Sequence, residues 1–131
     1  MNRTKLLMEY PISSKSLSIV WDMIGTASGL QKWMADKVEN HGNEYIFSWG
    51  EPWGEMDVRH SVLVEQQAMS YIRFRWEVFE PDQFWEIRIE KSDLTGALSL
   101  QITDFADEGE EDYIRGCWND NMKRLHRVSG F

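Results

Sequence analysis

Two spacings of apolar residues divide the chain into helical and extended segments. In the segment Glu110 to Val128, drawn as a helix at about 100° per residue, five apolar side chains lie within about 140° of arc around Ile114. They are Cys117, Trp118, Met122, Leu125 and Val128. Acidic residues begin the segment and basic residues end it, which suits the helix dipole. The pattern predicts a one-faced helix of about 28 Å that ends at Gly130.

The first part of the chain predicts a strand and two short helices. Leu6 to Ile12 is typical of a strand. A stripe at three- and four-residue spacing then predicts a helix, and its members are Leu17, Val20, Trp21 and Ile24. Ser13 or Ser14 can cap the start of this helix. Thr26 can cap a second short helix, Ala27 to Met34, which follows at once.

After these helices the apolar period changes to two, which predicts a series of short strands. The predicted strands are Val38–Asn40, Tyr45–Trp49, Met56–Val64, Tyr71–Val78, Trp85–Glu90 and Leu98–Thr103. The first two are joined by His41-Gly42-Asn43, a hairpin signal, and a loop from Gly50 to Gly54 follows. Short connections predict antiparallel pairing with one packed face. This element order is that of an α+β helix-grip fold, a curved antiparallel sheet wrapped around a long C-terminal helix.

Composition limits the classes of partner. A length of 131 residues predicts one domain, 1–131, with a core of its own. The formal charge is −8 and the basic residues are spread along the chain, which argues against nucleic acid and against a basic membrane-surface helix. No segment approaches the roughly 20 apolar residues of a membrane span, so no membrane insertion is expected. The single cysteine, Cys117, favours a reducing, cytoplasmic setting.

Four segments of the chain resemble one known family. Thr26-Ala-Ser-Gly-Leu-Gln-Lys-Trp-Met-Ala-Asp36 is similar to the T-x-x-G-L-x-x-W-[FM]-A-D segment of START-like domains related to the activator of the heat-shock protein 90 ATPase. Ile72-Arg-Phe-Arg-Trp76, Thr103-Asp-Phe-Ala106 and the helix from Trp118 to Leu125 resemble the same branch. The resemblance implies a helix-grip fold with an apolar cavity between the sheet and the last helix. It also implies binding of lipids or other hydrophobic ligands, or cyclase chemistry in some members.

The residues themselves predict no metal, no cofactor and no catalytic group. The histidines His41, His60 and His126 lack zinc-ligand spacing. The acidic run does not match the twelve-residue calcium loop and is interpreted as the solvated start of the last helix. Its members are Asp104, Asp107, Glu108, Glu110, Glu111 and Asp112. Cys117 lies on the apolar stripe without a partner, which is typical of an inert buried thiol rather than a nucleophile.

Residues on the predicted inward faces, together with Trp53 of the Gly50–Gly54 loop, are the candidates for contact with a ligand. They are Met34, Trp53, His60, Trp76, Trp118, Asn121 and Met122. His60 shares the alternation of the apolar residues in Met56–Val64, which predicts that it points inward, either as a core histidine or as part of a site. Asn121 lies in the middle of the apolar stripe, where it either forms a hydrogen bond within the core or faces the polar head of a ligand. The tryptophans either fill the core or wall a pocket, and Trp53 is expected at the cavity mouth.

These patterns leave three functional hypotheses. The first is a protein that binds a small apolar or amphipathic molecule and has no chemistry of its own. The second is a protein-interaction or stress-response module, with a homodimer as one form. The third is a cyclase or hydratase with His60 as its acid or base. An open hollow favours the first hypothesis and a filled hollow the second, whereas the third needs His60 and a second polar group at one open space.

Overall fold

A computed structural model describes residues 2–51 and 53–131, so Pro52 of the predicted loop lies outside the described residues. The elements are β1 (Arg3–Pro11), α1 (Leu17–Ile24), α2 (Ala27–Gln31), β2 (Lys37–His41), β3 (Glu44–Gly50), β4 (Met56–Gln67), β5 (Tyr71–Trp76), β6 (Trp85–Lys91), β7 (Leu98–Asp107) and α3 (Glu111–Ser129). Their order confirms the predicted α+β helix-grip fold.

The strands form one seven-stranded antiparallel sheet in the order β1-β7-β6-β5-β4-β3-β2. Neighbours from β2 to β7 follow one another along the chain, because each connection is short enough for a hairpin. The first strand instead crosses to the far edge and pairs with β7, from Arg3 opposite Asp107 to Pro11 opposite Ser99. The helix α3 contacts both of these strands, and it closes the hollow of the sheet.

Side-chain caps set the starts of the two short helices. The Ser16 hydroxyl accepts a hydrogen bond from the backbone N–H of Ile19 at 3.4 Å, so α1 begins after Ser16 and not after the predicted Ser13 or Ser14. The Thr26 hydroxyl accepts the N–H of Gly29 at 2.9 Å, as predicted. The helix α2 ends at Gln31, three residues before the predicted end, because its last residues form a turn.

A glycine allows α1 and α2 to touch. A Cβ atom on Gly29 would lie 2.0 Å from the backbone oxygen of Asp22 and 2.8 Å from the Cα atom of Met23. Any larger residue would push the two helices apart, because both of these atoms belong to the backbone of α1. Close packing of α1 on α2 therefore depends on this position.

Aromatic and branched side chains fill the space between the sheet and the helices. The largest fully buried side chains are Trp33, Trp85, Phe47, Phe74, Ile24, Leu30, Ile72, Ile87, Leu100, Ile102, Leu125 and Val20. On α3 the predicted stripe is buried at Trp118 and Leu125 but half-exposed at Val128. The helix is therefore anchored through its middle and its second half.

The predicted inward face of β4 is wrong. Ser61 is buried and lies opposite Tyr45 of β3, so the odd-numbered residues of this part of β4 face the helices. Val58 and Val62 are each 48% exposed. They lie on the outer face, as His60 does, because alternate strand residues point to opposite sides. A register shift between Leu63 and Glu65 then carries Val64 out of this alternation.

The outer face of the sheet carries a group of ion pairs around Glu86. Across the two strands, an Arg73 guanidinium nitrogen lies 2.8 Å from a carboxylate oxygen of Glu86. Arg88, on the same strand as Glu86, lies 3.2 Å from the other oxygen. The Arg73 guanidinium also covers the ring of Phe84, 4.2 Å from its centroid. These contacts stabilise the β5–β6 pairing and leave the opposite face of the sheet for the core.

Candidate functional site

The hollow between the sheet and α3 is filled along most of its length. The Trp85 ring stacks on Phe74 with centroids 4.4 Å apart, and Trp118 lies 6.0 Å from Trp85 and 6.4 Å from Trp33. The indole N–H of Trp33 donates to the backbone oxygen of Met23 at 2.9 Å, so its one polar atom is satisfied. We call this region the packed end.

Beyond Trp118, towards the first turn of α3, the hollow opens into a cleft of about 580 Å³. Apolar and aromatic lining side chains include those of Trp76, Val78, Phe79, Ala106, Tyr113 and Ile114. Charged lining residues are Arg3, Asp57, Arg59, Glu77, Asp104, Asp107 and Glu110. We call this region the cleft. Its composition differs from that of the packed end, because charged and aromatic groups share one space.

Asp104 is the buried charged group of the cleft. It continues the inward alternation of β7, where it lies opposite Leu6 of β1, and it is only 6% exposed. One carboxyl oxygen accepts the indole N–H of Trp118 at 2.8 Å, and the other accepts the backbone N–H of Phe105 at 2.7 Å. Burial raises the pKa of Asp104 from 3.8 to about 6, and these two hydrogen bonds partly oppose the rise. A carboxyl in this state can exchange a proton or accept a polar group near neutral pH.

The two arginines of the cleft are already paired with acids. A guanidinium nitrogen of Arg59 lies 3.3 Å from Asp57, and one of Arg3 lies 3.1 Å from Asp107. A second nitrogen of Arg3 donates to the side-chain oxygen of Gln83 at 2.8 Å. The arginines therefore contribute little net positive charge to the cleft.

Three of the predicted ligand residues lie at the cleft or directly behind it: Trp76, His60 and Trp118. Trp76 lines the cleft, and its ring packs 5.2 Å from Phe47 and 5.3 Å from Trp85. Trp118 is buried in the core, but its indole N–H holds the carboxyl of Asp104. The tryptophans thus serve both roles that the sequence left open, wall and core.

The residues Met34, Asn121 and Met122 lie elsewhere on the fold. Met34 is buried at the packed end, and its sulfur accepts the Asn121 side-chain amide at 3.6 Å. Met122 lines a second groove of about 470 Å³ beside Tyr10 and Phe131. The structure therefore separates these three residues from the cleft.

His60 and Trp53 differ most from the prediction. His60 is one of the residues that line the cleft, but the alternation of β4 turns its side chain to the outer face, with its Nδ1 atom 3.8 Å from a carboxylate oxygen of Glu44. Trp53 is 84% exposed and does not line the cleft. The predicted inward orientation of His60 is wrong, although His60 still borders the cleft, and Trp53 is not among the lining residues.

The sequence reasoning missed Asp104, Arg59 and Tyr113 as site residues. Asp104 was interpreted as part of a solvated acidic run, although β7 continues to Asp107 and carries it inward. The signal was the alternation of Leu98, Leu100 and Ile102, which reaches residue 104 two positions later. No signal in the sequence marked Arg59, because its strand was assigned the opposite face.

Residues 2–51 and 53–131 were searched for metal sites and for membrane-spanning helices. Within this part of the chain, no group of three or more His, Cys, Asp or Glu side chains could hold a metal ion. No helix among the same residues combines the length and the apolar character needed to cross a membrane.

Comparisons with known proteins agree on the fold. A family model described as a START-like superfamily domain matches residues 1–131. A protein from Bacteroides fragilis, solved by NMR in solution, is 34% identical over 100% of this chain and 94% of its own, with a TM-score of 0.63. The Aha1 dimer from Colwellia psychrerythraea matches with a TM-score of 0.64 and 11% identity over 95% of this chain and 92% of its own.

A crystal structure from Nitrosomonas europaea has the same fold at a TM-score of 0.73, with 10% identity over 95% of this chain and 92% of its own. No curated protein matches the sequence. The structures at 10% and 11% identity support the fold alone, whereas the family model and the relative from B. fragilis indicate common descent.

Proposed function

Because the chain belongs to the START-like superfamily, we propose that it binds a small amphipathic molecule in the cleft between the sheet and α3. One observation carries this proposal: the helix closes most of the hollow but leaves a space of about 580 Å³ at its first turn. Ligand pockets in proteins commonly measure about 300 to 1,000 Å³ and combine apolar walls with a few polar groups. The cleft has both kinds of lining.

The cleft offers apolar side chains for the body of a ligand and polar groups for its head. The apolar body of a ligand replaces water against Trp76, Ile114 and Ala106, and each Å² of apolar surface removed from water contributes roughly 25 cal/mol. Asp104 and the Tyr113 hydroxyl supply polar contacts that orient the ligand. The rigid sheet holds Trp76 and Asp104 in place, so the site needs little rearrangement before binding.

The enzymatic alternative, with His60 as its acid or base, stays a prediction that the side-chain contacts of His60 do not support. The His60 side chain lies on the outer face beside Glu44. It borders the cleft together with Asp104, but no hydrogen bond joins the two side chains in the described part of the chain. The interaction module and the homodimer stay predictions, and the exposed valines of β4 are the surface on which to look for such a contact.

A matched pair of variants tests the proposal. Ile114→Trp places a larger side chain in the wall of the cleft, whereas Val128→Trp places the same ring on an exposed position of the same helix. We expect the neutral, polarity-sensitive dye Prodan to bind the wild type and Val128→Trp with a one-to-one limit. The same dye should bind Ile114→Trp at least tenfold more weakly.

Fluorescence titration with circular dichroism as a folding check makes this measurement. Binding that Val128→Trp weakens and Ile114→Trp leaves unchanged would assign the dye to another surface, and the proposal would fail. Failure of the wild type to bind Prodan or any member of a chemically varied panel would favour the interaction module instead.

A further inference from the structure

We propose that the cleft selects ligands that carry a protonated amine, and that the Asp104 carboxylate receives the amine. This inference rests on the proposed function of the cleft and adds the chemical class of the ligand. It follows from the partners of Asp104, from the charges around it and from the rings that line the same space.

The partners of Asp104 leave its charge unbalanced. Both of its hydrogen bonds come from neutral donors, the indole of Trp118 and the peptide N–H of Phe105. Each carboxylate oxygen can accept a further hydrogen bond, because each has two lone pairs. No cation pairs with Asp104 among the residues that the structure describes. An ammonium group has three donors and a full positive charge, so it supplies what the carboxylate lacks.

Burial makes this unbalanced charge costly to the empty protein. An ionised carboxylate that is 6% exposed is poorly solvated, and a charge in such a place is normally neutralised or paired. The raised pKa of Asp104 expresses the same cost. A bound cation relieves it, because an opposite charge within about 4–6 Å favours the ionised form.

The surrounding charges also favour a cation. The charged and titratable groups around Asp104 come from every element that borders the cleft: Arg3, Asp57, Arg59, His60, Glu77, Asp107, Glu110 and Tyr113. His60 lies beside its own carboxylate, Glu44. Each of the two arginines is neutralised by its own aspartate. Glu77 and Glu110 remain without an ion pair in the described part of the chain. The net charge facing a ligand is therefore negative.

Aromatic rings complete the fit to an amine. Trp76, Phe79 and Tyr113 line the cleft, and the faces of such rings attract cations at distances up to about 6 Å. A carboxylate ligand meets the opposite situation, because Arg59 is held by Asp57 and both side chains are largely exposed. The cleft therefore discriminates against anionic amphiphiles.

Three probes with one chain length and three head groups test the inference. They are n-octylamine, 1-octanol and octanoate, titrated by calorimetry into the wild type at pH 7.5. We expect octylamine to bind at least tenfold more tightly than octanol, and octanoate to bind most weakly. In Asp104→Asn the octylamine affinity should fall to that of octanol, while octanol binding stays within twofold of the wild type.

A pH series on the wild type repeats the test without any substitution. Between pH 7 and pH 5 the octylamine affinity should fall about tenfold, because Asp104 takes up a proton near pH 6, while the octanol affinity stays flat. The alkylammonium group, like lysine, remains protonated over this range. A variant that fails to fold therefore does not leave the inference without a test.

The outcomes separate the inference from the proposed function. Equal binding of octylamine and octanol, a preference for octanoate, or an amine preference that survives Asp104→Asn overturns the amine selectivity and leaves the cleft as a general apolar site. Absence of binding for all three probes and for Prodan overturns both.

Discussion

The packed end and the cleft lie along the same helix but differ in the side chains that they bury. The packed end buries aromatic rings, and the cleft buries a carboxylate. At the packed end, Trp33, Phe74 and Trp85 fill the space and no charged group is buried between them. In the cleft, Asp104 is buried with a charge that nothing in the described structure neutralises. Burial of apolar rings at the packed end stabilises the folded protein. The unpaired buried carboxylate of the cleft destabilises it. Groups that lower stability without a structural reason are the groups expected to serve a function.

The largest expected effect removes the ring that joins the two regions. Trp118→Ala should lower the free energy of unfolding by about 3–5 kcal/mol, because it empties a buried aromatic site and deprives Asp104 of a donor. Tyr113→Ala, on the same helix and 65% exposed, should change it by less than about 0.5 kcal/mol. Urea unfolding followed by circular dichroism measures both. Similar losses for the two variants would mean that α3 is not anchored through Trp118.

The cost of the buried charge in the cleft can be measured through pH. In the folded protein the pKa of Asp104 is raised from 3.8 to about 6. Between these values the folded state holds the proton more firmly than the unfolded state, so stability is lost as pH rises through this window. Asp104→Asn lacks this dependence. The stability of the wild type relative to the variant should therefore fall by about 2 kcal/mol between pH 4.5 and pH 7.5.

The control for this experiment is Asp120→Asn, the same substitution at an exposed position of α3, measured at the same pH values. Unfolding curves at four pH values suffice, since other titrating groups cancel between wild type and variant. A relative stability that rises with pH would show that Asp104 is stabilised as a carboxylate in the empty protein.

Two glycine substitutions compare the space for a side chain at the contact between α1 and α2 with the space on α3 near the cleft. Gly29→Ala should destabilise by about 1–3 kcal/mol, because its new methyl group would meet the backbone of α1 at Asp22. Gly116→Ala, in the first half of α3, has no atom within 4 Å of the added carbon. It should stabilise by about 0.5–1 kcal/mol, the usual gain in a helix interior. A loss at Gly116 as large as that at Gly29 would contradict the difference in packing.

The smallest effect is expected at Asn121. Its amide donates to the sulfur of Met34, a weak acceptor, and it does not line the cleft. Asn121→Leu should change stability by less than about 1 kcal/mol and leave Prodan and octylamine binding within twofold. Weakened binding would instead place Asn121 in the ligand site, as one reading of the sequence suggested.

The fold followed from the sequence because apolar periodicity reports which face of an element is buried. The strands alternate at period two and α3 repeats at three and four residues. The predicted hairpin turn after β2 forms at Gly42-Asn43, with His41 as the last residue of β2. The start of α1 was predicted less accurately, because Ser13, Ser14 and Ser16 can all cap a helix and the cap is Ser16. Periodicity also predicted correctly that Trp118 and Leu125 face the core.

The residues of the site were predicted less well than the fold, because charged residues as well as apolar ones point into the cleft. On β4 the inward residues near the cleft are Asp57 and Arg59, so the apolar pattern predicts the wrong face, that of the valines, as the core side. Asp104 was hidden among the acidic residues of the next helix, and only its place in the β7 alternation distinguishes it. Which inward position borders open space depends on where α3 stops filling the hollow, and that is a property of the assembled fold.

Chemical-shift mapping with n-octylamine tests most directly that the ligand site is the cleft and not the packed end. Two N–H groups report on Asp104, the indole of Trp118 and the backbone amide of Phe105, while the indole of Trp33 reports on the packed end. The account predicts saturable shifts of the first two signals in ¹⁵N-labelled protein, with the Trp33 indole signal unmoved. Shifts centred on Met122 and the groove beside Tyr10, with the Trp118 and Phe105 signals unmoved, would contradict it.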